Sequence, residues 1–393
     1  MEAFVELKVR DDAARVFPSE AVLLNPDYPN GEEFSDVAVL YDGKVVIFQC
    51  KAKGFNRVAR IGEDFDRLRA DMQAAIRVAF DQAVRARNYI RNEEKAILKT
   101  EDSELHIDTR AITDIYLVNV TLMPFHAMAT RFENIEDALG LFPEKEYPLS
   151  MALGDLDIIS QILGSPARFL HYVNRRLAVE KTTFNLHADE LDLLGFYLSQ
   201  GMYFGREEFQ GLSNVGLSGF SGKIDEYVHR KYDEHKDVER PHAPMPSGFA
   251  ELIGDIESLR SMYRTDCVMA LLDMSGPSRS KIMELIGSAK SATRIDREQH
   301  TLSFGVPEYS RGFSFMSLAT ASSTAAVFEA AAAFGLLKKY AEKSAEWFGL
   351  GWHLGSSRTV DAAVTLKFAW QKDEVMEEEV RQCLRPGKSI DLR

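Results

Sequence analysis

Ser35-Asp36-Val37-Ala38-Val39-Leu40-Tyr41-Asp42-Gly43-Lys44-Val45-Val46-Ile47-Phe48-Gln49-Cys50-Lys51 is the stretch that decides the architecture of this 393-residue chain. Asp42-Gly43 between two β-branched runs predicts a hairpin closed by a two-residue type I′ turn. Paired residue numbers then sum to 85, so Tyr41 faces Lys44 and Asp36 faces Gln49. Ala38, Leu40, Val45 and Ile47 fill one face of the hairpin, and Val37, Val39, Val46 and Phe48 fill the other. A hairpin apolar on both faces belongs inside a sheet covered on both sides. Asp36, Gln49 and Lys51 share one face at the open end. An acid, an amide and an amine converging beside so apolar an element point to chemistry or metal binding, because burying polar groups without partners costs free energy.

Working outward, residues 11–17 read as a short helix that Pro18 ends, and 20–24 as a first strand. Pro26, Pro29, Asn30 and Gly31 mark a loop. Apolar residues at intervals of three and four predict one long amphipathic helix over 63–99. A strand at 112–122 and a helical stretch through Leu156, Ile159 and Phe169 follow. This gives a first domain at 1–180. A connector at 181–247 holds a helix at 189–200, a Gly-rich linker at 211–222, a charged run at 223–240, and Pro241, Pro244 and Pro246. Residues 248–393 read as a separate α/β domain. Its expected elements are helices at 252–262 and 281–289, strands at 267–274, 301–304 and 312–318, an Ala-rich helix at 324–345, a strand at 360–368 and an acidic, solvated helix at 373–379.

The net charge of −13, from 47 Lys and Arg against 60 Asp and Glu, argues against a nonspecific nucleic-acid coat protein. The charge is uneven, however. Residues 44–99 carry 13 Lys and Arg against seven Asp and Glu, directly after the hairpin. That segment is either a phosphate-facing surface or a solvated basic helix face. No stretch reaches the roughly 18 apolar residues of a spanning helix. Three isolated cysteines suit a reducing compartment, so the expectation is a soluble, cytoplasmic protein without a membrane partner. The histidines show no zinc-site spacing.

The hairpin resembles the PD-(D/E)xK nuclease superfamily, in the QxK variant found in Mrr-type restriction endonucleases. In that family an Asp opens the second core strand and a (D/E/Q)xK tripeptide lies on the third. The resemblance covers the N-terminal third. It implies a restriction-endonuclease-like domain, a mixed central sheet flanked by helices. Asp36, Gln49 and Lys51 become the catalytic triad, with Mg²⁺ or Mn²⁺ held by Asp36, the Gln49 amide oxygen and the Cys50 carbonyl. Gln49 replaces the commoner acid. Pro26-Asp27 is out of register with the hairpin and reads as loop. Glu20 is the candidate for the additional acid that this family draws from the preceding helix, with Glu33 behind it.

DNA is the implied partner, with RNA and a homodimer left open, and a role in restriction or anti-phage defence is implied by the resemblance alone. Lys53, Arg57, Arg60 and Gln82 are the candidate nucleic-acid contacts, although Gln82 also reads as ordinary helix surface. The rival reading is a catalytically inactive nuclease fold serving as a nucleic-acid-binding or scaffold module. Gly216 to Lys223 resembles a phosphate loop, but its first Gly is one place early and Ile224 stands where Ser or Thr is required.

Overall fold

The Asp42-Gly43 turn forms with φ of 46° and 78°, the left-handed values that both central positions of a type I′ turn require. In this computed structural model, which describes residues 1–52, 65–101, 103–125, 130–205, 207–306, 309–320 and 323–384, the chain divides into two compact units, Met1–Ala243 and Pro244–Arg393. The segment expected as a connector therefore lies, up to Ala243, inside the first unit.

The first unit opens with helix α1 (Glu2–Val16), followed by β1 (Val22–Leu24), β2 (Val37–Tyr41) and β3 (Lys44–Lys51). Helix α2 (Phe65–Met72) runs through a π-turn at Gln73–Arg77 into α3 (Val78–Asn92). A small hairpin of β4 (Lys95–Lys99) and β5 (Glu104–Asp108) precedes β6 (Asp114–Thr121), helix α4 (Glu133–Leu139) and β7 (Leu149–Ala152). The main sheet has the order β1-β2-β3-β6-β7. Its first three strands form an antiparallel meander, while β6 runs parallel to β3 and β7 parallel to β6. Val37 pairs with Phe48 and Tyr41 with Lys44, the register set by the turn. Ala38, Val45 and Ile47 pack with Ile76, Phe80 and Ala83 below one face of the sheet. The alternate residues Val37, Val39, Val46 and Phe48 are equally buried, and α1 packs against β1, β2 and β3. The hairpin is thus covered on both sides.

Three local expectations are corrected in this unit. The helix before β1 begins at Glu2, not at residue 11, because Val5, Val9, Ala13 and Val16 bury a stripe of helical spacing. The long helix stops at Asn92, since residues 95–99 pair with 104–108 and tertiary pairing overrides the continuing helical pattern. The expected Gly-rich linker contains β9 (Asn214–Gly216), which pairs in parallel with β8 (Asn185–His187). The remaining helices of this unit are α5 (Leu153–Leu163), α6 (Pro166–Leu177), α7 (Glu190–Gln200) and α8 (Gly222–Val228).

The second unit begins with α9 (Phe249–Ser258), α10 (Arg264–Leu272) and α11 (Gly276–Asp296). A four-stranded sheet of order β10-β11-β12-β13 follows, built from His300–Val306, Arg311–Leu318, Glu346–His353 and Ala362–Lys367. Helix α12 (Thr324–Ala341) packs on β11, β12 and β13. The strand expected at 267–274 is helix α10: a short apolar run does not reveal its period. Strand β12 had no clear signal because Gly349 and Gly351 interrupt its aromatics. Those glycines let α12 approach, since a Cβ at Gly349 would stand 2.8 Å from the Ala331 carbonyl. The acidic helix α13 (Glu374–Cys383) buries no residue, as the sequence predicts.

Candidate functional site

Asp36 lies one residue before β2, and the pairing register carried one step further sets it beside Gln49 at the end of β3. β3 stays in unbroken register with β6 from Lys44 to Lys51, so no bulge turns Lys51 to the other face. Asp36, Gln49 and Lys51 therefore share the face of Ala38, Val45 and Ile47.

The hydrogen bonds aim the open end. Cys50 N donates to Asp36 Oδ2 at 2.5 Å. Leu122 N donates to the Lys51 carbonyl at 3.0 Å, on the β6 side. Backbone groups of successive strand residues point alternately to the two edges, so the Cys50 carbonyl opens toward Asp36. Asn25 N donates to the Asp36 carbonyl at 2.9 Å and fixes the residue from the β1 side.

Glu33 completes this arrangement. Residues 26–34 fold back on themselves, with Phe34 N donating to the Pro26 carbonyl at 2.8 Å and Asp27 bridging both Glu33 and Lys99. Phe34 is buried against Tyr28 and Tyr89. Pro26-Asp27 is thereby the loop partner that seats Glu33 next to Asp36, in keeping with its reading as loop. Burial, together with a hydrogen bond to the Glu33 carboxyl, pushes the Asp36 carboxyl up to about 7. The Cys50 N–H and the Lys51 ammonium act in the opposite direction.

Glu6 was missed from sequence. It lies on α1, half-buried, and Asn25 Nδ2 donates to its Oε2 at 3.3 Å. Its charge reaches the Cys50 thiol, which burial, then Asp36 and Glu6, push well above its ordinary value. The helical spacing of Val5 and Val9 is the signal that places Glu6 beside the sheet. Glu20, by contrast, sits exposed in the turn before β1. Val22 pairs with Val39, so Glu20 lies by the hairpin turn, on the order of 15 Å along the strands from Asp36. The structure does not bring Glu20 to the site.

A polar row crosses the sheet from Asp36. Gln49 pairs with Asn119 and Asn119 with Ser150, all three buried. Asn119 Nδ2 reaches the Ser150 hydroxyl and the Ala75 carbonyl, both at 3.3 Å. Ala75 lies in the π-turn, where the regular helix ladder is interrupted. Asn119 Oδ1 has no partner among the described residues. The row leaves Gln49 set among polar neighbours.

Lys53, Arg57 and Arg60 lie outside the described residues. Gln82 is half-buried on α3, and its Oε1 is shielded without a partner among the described residues. Part of the basic surplus is spent within the fold. Arg77 pairs with Asp81 and Glu144, Arg87 with Glu146, and Lys44 with Asp114.

Among the described residues no three His, Cys, Asp or Glu side chains gather as a metal-binding group. The oxygens gathered at the open end are the carboxylates of Asp36 and Glu33, the Cys50 carbonyl and the Gln49 amide. An all-oxygen set of this kind fits a hard divalent cation such as Mg²⁺ or Mn²⁺, which keeps several waters of its own. Comparison with protein-family models, curated proteins and solved structures finds no match to this chain. Among the described residues no helix is long and apolar enough to cross a membrane.

Proposed function

We propose that the first unit is a metal-dependent nuclease that hydrolyses phosphodiester bonds in DNA. The observation that carries this reading is the Glu33–Asp36 carboxyl pair at the open end of the hairpin, with the Cys50 carbonyl turned toward it and Lys51 on the same face. The element order supports it: a helix, a three-stranded meander, a long helix and a parallel fourth strand agree with the restriction-endonuclease-like fold that the PD-(D/E)xK resemblance implies.

Asp36, Glu33 and the Cys50 carbonyl would hold the divalent ion, with the Gln49 amide oxygen completing the protein side. Such an ion supplies polarisation of the phosphoryl group and a hydroxide nucleophile near neutral pH. Lys51 brings a cation to the same face, where it orients the attacking water or offsets charge on the phosphate in the transition state. Glu6 adds negative charge from the far side of β3. Asn25 joins Glu6 and Asp36, its side chain donating to Glu6 and its backbone N–H to the Asp36 backbone carbonyl. Lys53, Arg57 and Arg60 would supply the cations that meet the DNA backbone.

Incubation of the purified chain with plasmid, linear DNA and RNA, in Mg²⁺, in Mn²⁺ and in EDTA, tests the proposal. Cleavage of DNA that requires the metal supports it, and cleavage of RNA alone reassigns the substrate. Absence of cleavage in every condition rejects it in favour of a non-catalytic nucleic-acid-binding or scaffold module. The pairing of Arg77 and Arg87 with acids favours the scaffold form of that second reading, because it lowers the positive charge left to meet phosphate.

A further inference from the structure

A second polar pocket lies at the other end of α1, and we propose that it binds a small phosphorylated ligand of nucleotide size. Arg15 of α1 lines it, nine residues from Glu6 and so about 13 Å away along the helix. The floor is the buried side chain of Gln161, at the end of α5. Its Oε1 accepts from both Lys231 Nζ and the Tyr232 hydroxyl, and its Nε2 donates to Asp157 at 2.9 Å. Arg240 Nη1 donates to the Gln161 carbonyl at 2.9 Å and crosses Gly164 so closely that a Cβ there would stand 2.7 Å from it. One buried glutamine thus gathers a lysine, an arginine and a tyrosine around a cavity of about 460 Å³.

The charges are unevenly matched. Arg15 is met by Asp12 and Asp157, and Lys236 on the rim by Glu234 at 2.9 Å. Lys231 and Arg240 instead donate to neutral oxygens: the amide of Gln161, the Tyr227 hydroxyl at 3.0 Å and a backbone carbonyl. Asp237 is the carboxylate on this wall. In a chain of net charge −13, two neighbouring cations held by neutral acceptors mark a place built for an anion. The Tyr227 and Tyr232 rings hold the Lys231 ammonium 5.2 and 5.3 Å from their centroids. Tyr232 remains 46% exposed at the mouth, where a planar base can lie against it. The cavity falls within the ~300–1,000 Å³ usual for small-ligand sites. A phosphate between Lys231 and Arg240, with a base toward Tyr232, satisfies both features.

The test is calorimetric titration of the full chain in EDTA with AMP, GMP, CMP and UMP in turn, alongside inorganic phosphate, adenosine and a 12-nucleotide single-stranded DNA. At least one nucleotide is expected to bind at one saturable site, with phosphate competing weakly and adenosine binding about tenfold or more weakly than AMP. Lys231→Ala and Arg240→Ala should each lower nucleotide affinity by about tenfold or more, the effect of losing a charge-assisted contact. Arg240 is exposed, so Arg240→Ala keeps the test decisive should Lys231→Ala fail to fold, and Lys231→Arg should retain binding. No binding of any nucleotide or of phosphate at millimolar concentration would overturn the proposal. So would affinities unchanged in both alanine variants, or oligonucleotide binding that no mononucleotide displaces.

Discussion

The backbone N–H of Cys50 donates to Asp36 Oδ2 at 2.5 Å, so a side chain takes the place of the next rung of the hairpin ladder. The carboxylate is thereby both a structural acceptor and the proposed metal ligand. Asp36→Ala leaves a buried N–H unpaired and should cost about 1–3 kcal/mol in urea denaturation. Asp36→Asn keeps an acceptor oxygen there and should unfold close to the parent. Cleavage should fall roughly a thousandfold in both variants. Parental cleavage in Asp36→Asn would move any nuclease activity elsewhere.

Lys51 and Gln49 separate charge on the phosphate from charge on the metal. Lys51→Ala should remove cleavage while Mg²⁺ still binds by calorimetry. Gln49→Glu should bind Mg²⁺ at least as tightly, because it restores a carboxylate to the donor set. Glu33→Gln should weaken Mg²⁺ binding. Unchanged Mg²⁺ affinity in Glu33→Gln would detach that residue from the metal.

Glu6 and Glu20, the candidate acids beyond Glu33, divide cleanly. Glu6→Ala should reduce cleavage, because it removes the acceptor of the Asn25 side chain beside the Asp36 backbone. Glu20→Ala should leave both activity and stability within about 0.5 kcal/mol of the parent, as expected for an exposed turn residue. Side-by-side initial rates decide the matter, and the reverse ranking would restore Glu20.

Asp155 supplies a pH dependence away from the hairpin. Burial, with the charges of Glu190 and Asp189 nearby, pushes its carboxyl up to about 7 from an ordinary 3.8. Below 3.8 the group is protonated in both states, and its stabilising contribution is fully present. Between 3.8 and 7 the folded chain holds a proton that the unfolded chain has released, so this contribution is lost as pH rises through about 7. Asp155→Asn stays neutral and retains an acceptor for the Ala152 N–H it caps. It should therefore gain stability over the parent between about pH 5 and pH 8, on the order of a few kcal/mol. Denaturation curves at the two pH values read this directly, and a pH-independent difference would contradict it.

Salt dependence tests the basic segment after β3. DNA binding should weaken steeply with salt, and the double substitution Arg57→Ala with Arg60→Ala should shallow the slope by about two units if both contact phosphate. The unit from Pro244 onward should show no such dependence. A slope unchanged by the double substitution would move DNA recognition to that second unit.

Where local chemistry decides the backbone, the sequence was enough. Asp42-Gly43 selects one turn type, the turn sets the register, and strand alternation then puts Asp36, Gln49 and Lys51 on one face. The apolar character of both hairpin faces likewise foretold a sheet covered on both sides. Periodicity was less decisive where runs were short or interrupted, as in α10 and in β12, whose glycines answer to the helix packed above them.

Tertiary structure decided which acids meet. Glu33 and Glu20 are both near in sequence to Asp36, yet the fold-back at Pro26 seats Glu33 against Asp36 while the antiparallel pairing of β1 carries Glu20 to the far end. Glu6, thirty residues before Asp36, arrives because α1 buries Val5 and Val9 on the sheet. The pairing of β1 with β2 and the docking of α1 on the sheet join segments that no short turn connects, so a local pattern can say which face is buried but not which acids meet. The sequence by itself determined the hairpin and the face its polar residues share. Only the tertiary structure determined the rest: the loop fold-back made the carboxyl pair, and packing of α1 on the sheet brought the charge of Glu6.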